Sequence, residues 1–165
     1  MAIVPIIMGS RADLEHGEAI AAALHDFGID AEIRVASAHK SPFYLLDILR
    51  EYESDGRRKV YITVAGRSNA LSALIDAQVV APVIACPPYS DRFGGADIFS
   101  SLRMPSGVAP AVVVAPDGAA LVAAKIFALS DPAVASRVKA ARAGLDQKIR
   151  TDDASLSGVR PGKSS

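Results

Sequence analysis

The stretch AIVPIIMGSRADLEHGEAIAAALHDFG, residues 2–28, decides the fold. It opens on a short apolar run, residues 3–7, breaks at Gly9-Ser10, and continues over residues 13–27 with apolar side chains at helical spacing. In that second part Gly17, Ile20, Ala21, Leu24 and Phe27 fall on one side, while Glu15, Glu18 and His25 fall towards the other. This is a surface helix with one buried face, ended by Gly28. The run before it does not alternate, which suits a strand buried on both faces, as in a parallel sheet.

The same alternation continues along the chain. Apolar runs rich in Val and Ile recur at residues 31–36, 60–64, 83–86 and 111–115, separated by segments of helical length at 42–52, 68–78 and 118–129. Asp131-Pro132 then precedes a last helix running to about Arg150. The expected architecture is α/β: a three-layer αβα sandwich around a doubly wound, flavodoxin-like parallel sheet. Residues 1–150 form one domain, and the polar, small-residue stretch TDDASLSGVRPGKSS, residues 151–165, is expected to be mobile or to drape over a partner subunit.

Composition removes several classes of function. Lys plus Arg total 18 and Asp plus Glu total 18, so nothing in the charge balance favours nucleic acid or an anionic membrane. The single cysteine, Cys86, has no internal partner, and no Cys/His cluster has metal-ligand spacing, which points to a reducing cytoplasm and to no metal. The N-terminus lacks a basic region, is interrupted by Pro5 and is too short to span a bilayer.

In an open parallel sheet the ligand lies beyond the carboxyl ends of the strands, so the turns after the apolar runs carry the chemistry. The first, GSRAD at 9–13, offers Gly9 for close backbone approach and helix-start donors with Ser10 for a phosphate or sugar hydroxyl. Asp13 would repel a phosphate but accept well from a ribose diol, and plain helix capping by Ser10 or Asp13 competes with both ideas. The second, SAHKSP at 37–42, places Ser41 and Pro42 as ordinary helix-start residues, leaving His39 and Lys40 unexplained by capping. His39 carries a proton near neutrality and Lys40 is a point charge for phosphate or carboxylate; a structural histidine is the competing account. The third, AGRSNA at 65–70, combines the small pair Ala65-Gly66 with Ser68 and Asn69 at a helix start, where a cradle and a cap are both open readings. Arg67 fits either a phosphate ligand or a subunit contact. His16 and His25 read as structural and solvated, Cys86 as a packed thiol, and Asp117 as a cap.

In order and spacing, MGSRAD, RVASAHKSP, VAGRSNAL, PVIACPP, SSLRMPSG and APDGAALVAAKIFAL resemble the PurE family of purine biosynthesis, from about Val4 to Leu129. One class of that family typically has a second active-site histidine in the third segment, and here Ala70 stands at that position. The chain is more similar to the other class, the aminoimidazole ribonucleotide carboxylases, which take up CO2 without ATP. The animal members carry a fused synthetase domain that this sequence lacks, and Ala70 replaces their usual glycine.

That resemblance implies a set of roles: His39 as general base with Lys40 beside the new carboxylate, Ser68, Asn69 and the Ala70 backbone around CO2, and Ser10, Asp13 and Ser37 on the ribose phosphate. It implies no cofactor, the small-molecule substrates AIR (5-aminoimidazole ribonucleotide) and CO2, and a homo-oligomer, octamer ahead of tetramer. The rival readings are the mutase class acting on N5-carboxyaminoimidazole ribonucleotide, a carboxylase of a nicotinate nucleotide, and a non-catalytic nucleotide-binding module.

Overall fold

The computed structural model describes residues 2–157. Strands β1 (Ala2–Met8), β2 (Asp30–Val35), β3 (Arg58–Lys59), β4 (Tyr61–Val64), β5 (Val83–Ala85) and β6 (Ala111–Val112) form one sheet in the order β2-β1-β4-β5-β6, with β3 also beside β1. Every pairing is parallel. β3 and β4 are one strand position interrupted where Val4 and Pro5 would pair with Val60 and Tyr61, because Pro5 has no N–H to give the ladder. With those two merged, the strand positions run 2-1-3-4-5, the flavodoxin-like order, with its switch point between β1 and β4.

Helices α1 (Leu14–Asp26), α2 (Pro42–Ser54), α3 (Ala70–Asp76), α4 (Phe99–Leu102), α5 (Pro116–Ala128) and α6 (Pro132–Leu156) complete the chain. Successive residues of the central strands feed opposite faces. Val4, Ile6, Met8, Ile62, Val64 and Ile84 pack with Ile20 and Leu24 of α1, the alanine face of α5 and Val134 and Val138 of α6. Ile3, Ile7, Tyr61 and Val83 pack with Leu45, Ile48 and Leu49 of α2 and with Leu71 and Ile75 of α3. The expected three-layer sandwich is therefore present, with helices on both faces of a parallel sheet.

Three expectations change. β2 is not buried on both faces: it is the sheet edge, where Glu32 is exposed and Val35 is 43% exposed, and strand order rather than composition decides that. The last apolar run forms ladder only at Ala111–Val112, prolonged by the Val113 N–H donating to the Ala85 carbonyl. Helix α6 passes Arg150 and ends at Leu156, so the first part of the polar tail expected from Thr151 is helical; residues 158–165 lie outside the described residues. Local pairs support that extension: Arg150 bridges Asp146 at 2.7 Å, and Thr151 Oγ1 donates to the Gln147 carbonyl at 2.9 Å.

Candidate active site

Four loops converge at the carboxyl ends of β1, β2, β4 and β5 around a cleft of about 750 Å³. The first extends β1 by one bond, Gly9 N–H to the Val64 carbonyl at 2.9 Å, then turns through a 3-10 segment, Arg11–Asp13, into α1. Ser10 Oγ accepts from the Ala12 N–H at 3.2 Å, so the serine does cap this turn. Asp13 does not: its carboxylate makes no capping bond and faces the cleft. Burial raises its pKa above the ordinary aspartate value, and nearby His16 pulls it partly back.

The second loop is tied by its own serines. Ser37 Oγ accepts from the Lys40 N–H at 3.2 Å, while Ser41 Oγ accepts from the Ser37 N–H at 3.2 Å rather than capping α2. This knot leaves His39 and Lys40 exposed on the cleft, and their side chains have no hydrogen-bond partner among the described residues.

In the third loop Arg67 adopts φ +49°, a left-handed conformation that costs a non-glycine residue roughly 1–2 kcal/mol and is found where a site demands it. Ala65, Gly66, Arg67 and Ser68 line the cleft; Asn69 and Ala70 do not. Asn69 is 3% exposed: its Oδ1 accepts from the Ser72 N–H at 3.2 Å at the start of α3, and its Nδ2 donates to Ser101 Oγ at 2.7 Å. It stands behind the wall and braces it.

The fourth loop follows β5. Pro88, Tyr89 and Ser90 reach the cleft, and so does Asp97, at the end of a turn in which Phe93, Gly94 and Gly95 all have positive φ. Pro88, Tyr89 and Ser90 belong to the turn CPPYSD, residues 86–91, directly after the apolar run at 83–86, where the chemistry is expected; Leu71, on the first turn of α3, and Asp97, reached by a long irregular excursion, did not stand out. The pair Gly94-Gly95 was the only available signal, marking a turn but not its direction.

His16, one turn into α1, lies with Nε2 3.3 Å from Cys86 Sγ. Burial lowers the His16 pKa and pushes the Cys86 thiol up to about 12, so the cysteine is a packed group and not a nucleophile. Among the described residues no His/Cys/Asp/Glu group could hold a metal ion, and no helix is long and apolar enough to cross a membrane.

Six of the residues expected at a site, Ser10, Asp13, Ser37, His39, Lys40 and Ser68, thus share one cleft. The chain is similar to several named proteins. The chain is 60% identical over 133 residues to a phosphoribosylaminoimidazole carboxylase of Archaeoglobus fulgidus, covering 81% of this chain and 73% of that one. It is 53% identical to a protein of the same name from Treponema denticola, over 93% and 97% of the two chains. A bifunctional carboxylase/succinocarboxamide synthetase of Homo sapiens is 47% identical over 83% of this chain, which spans about a third of that longer protein. The crystal structure of Treponema denticola PurE superposes with a TM-score of 0.93 at 52% identity, over 94% of this chain and 99% of the other. The family model described as AIR carboxylase matches residues 3–148, and the chain belongs to that enzyme family.

Proposed function

We propose that the protein carboxylates C4 of 5-aminoimidazole ribonucleotide with CO2 itself, without ATP, in purine biosynthesis. The observation that carries this reading is that the cleft holds one imidazole, His39, beside one ammonium, Lys40. The names of the relatives support carboxylation, and Ala70 in place of a second histidine favours direct CO2 uptake over the mutase reaction.

C4 is the enamine carbon of the ring. Its electron pair forms the bond to CO2, the exocyclic amine becomes an iminium, and C4 becomes tetrahedral with one proton to lose. His39 takes that proton, the ring regains aromaticity, and the product carboxylate lies near Lys40. Ser10, Ser37 and Arg67 hold the phosphate, and Asp13 accepts from the ribose hydroxyls; binding this remote half orients C4 towards a partner that offers little to recognise. No step calls for a cofactor.

Purified protein given aminoimidazole ribonucleotide and bicarbonate without ATP should form the C4-carboxylated product, and His39→Asn should retain nucleotide affinity while losing turnover. Turnover of N5-carboxyaminoimidazole ribonucleotide alone would transfer the protein to the mutase class, and binding without any turnover would make it a nucleotide-binding module. We also read the chain as a cytoplasmic homo-oligomer, octamer ahead of tetramer. The exposed Phe43 (81%) and Leu129 (88%) support assembly, and light scattering tests it.

A further inference from the structure

The wall of the cleft holds a carboxylate oxygen that is buried and has no hydrogen-bond partner among the described residues, Asp97 Oδ2. The only other such side-chain atom among them, Thr63 Oγ1, belongs to β4 and does not line the cleft. Asp97 lies between the main cleft and an adjoining, largely apolar cavity of about 450 Å³ lined by Pro87, Pro88, Ile98 and Val114. A carboxylate oxygen taken from water without a donor destabilises the fold, so its retention points to a ligand that completes it.

Its position is fixed. Ser100 Oγ donates to the Asp97 carbonyl at 2.8 Å and accepts from the Asn69 N–H at 3.0 Å, so Asp97 is tied to the loop that carries Arg67 and Ser68. What it lacks is an N–H or O–H donor. Phosphate, CO2 and the product carboxylate would be repelled or would offer no proton, and the ribose hydroxyls have Asp13 on the first loop.

We propose that Asp97 accepts a hydrogen bond from the exocyclic 5-amino group of the aminoimidazole, an inference that rests on the carboxylation reading above. This contact recognises the amine and also favours the chemical step. As C4 bonds to CO2, positive charge develops on that nitrogen, and Asp97 stabilises it while Lys40 faces the new carboxylate. When His39 removes the C4 proton, the amine is neutral again and the charges balance.

The test compares two ligands, aminoimidazole ribonucleotide and imidazole ribonucleotide lacking the 5-amino group, on the wild type and on Asp97→Asn and Asp97→Ser. The wild type should prefer the amine by roughly tenfold or more, the size of a charge-assisted hydrogen bond. Asp97→Ser should bind the two ligands equally, and Asp97→Asn, whose amide oxygen still accepts but carries no charge, should show a much reduced preference, with carboxylation reduced about a hundredfold in both. Because each variant is compared with itself, general loosening cancels. Thermal unfolding adds a second readout: removing an uncompensated buried carboxylate should leave Tm equal or higher, whereas a structural role would lower it. A wild type that carboxylates but binds both ligands equally, or variants that keep the wild-type preference, would remove Asp97 from the role and leave carboxylation standing. A wild type that neither binds nor turns over the aminoimidazole would overturn the carboxylation reading instead.

Discussion

Asn69 Nδ2 and Ser101 Oγ are 2.7 Å apart, joined across 32 positions of chain, and both residues are buried. Through this bond and the Asn69 cap on α3, one amide fastens the third cleft loop to the segment that presents Asp97. Asn69→Ala removes a cap and a buried hydrogen bond and should cost about 2–3 kcal/mol in denaturant unfolding. Ser101→Ala should cost about 1–2 kcal/mol by leaving an amide donor unmet. The double variant should be hardly worse than Asn69→Ala alone; additive costs would show that the two side chains do not act as a unit.

The physical basis of that bond also explains what the sequence could disclose. The β1–α1 unit was legible because both of its periods are local, and the turns that meet at the cleft followed from strand alternation and the rule that a parallel sheet binds beyond its carboxyl ends. Asn69 carries a helix-start signal and a pocket signal in the same letters, and only the position of Ser101 separates them. Asp97 reaches the cleft through three successive positive-φ residues, a path that no hydrophobic pattern encodes. The exposure of β2 depends on which strand lies at the edge, a long-range property.

Asp13 should impose an acid limb on nucleotide binding. Burial raises its pKa, so the fold favours the protonated form; that stabilising contribution is complete below the unfolded-state value and is lost as pH rises through the raised folded value. In the proposed complex the ionised form accepts from the ribose, so ionisation would stabilise the complex and not the fold. Asp13→Asn should weaken ribonucleotide binding about tenfold at neutral pH and remove this acid limb. Because Asp13 is partly exposed, its fold should gain only a few tenths of a kcal/mol. Titration calorimetry across the acid range checks this, and an acid limb unchanged in the variant would assign it to another group.

Cys86 should be inert. It is 0% exposed, packed against His16, and its thiol is pushed up to about 12, so little thiolate exists near neutrality. Iodoacetamide at mildly alkaline pH should label the native protein only at the rate of opening, with full labelling in denaturant. Cys86→Ala should leave turnover within about twofold while costing roughly 1–2 kcal/mol of stability through lost packing. Rapid native labelling that abolished turnover would instead make the thiol part of the site.

Gly66 gives the test in which fold and function separate most cleanly. It lines both the main cleft and the apolar cavity beside it, and a Cβ built there meets only Pro88 Cγ, at 3.8 Å. The protein itself has room for a methyl group, and the unfolded chain loses freedom, so Gly66→Ala should match or exceed wild-type stability by up to about 1 kcal/mol. In the proposed reaction the methyl fills the space where CO2 and the ring would meet. A displacement of the reacting atoms by about an ångström is worth tenfold to a hundredfold in rate, so kcat/KM should fall by at least about tenfold while Tm holds. Gly66→Val should deepen the loss. Unimpaired turnover in both variants would mean that the reaction takes place elsewhere than against this loop.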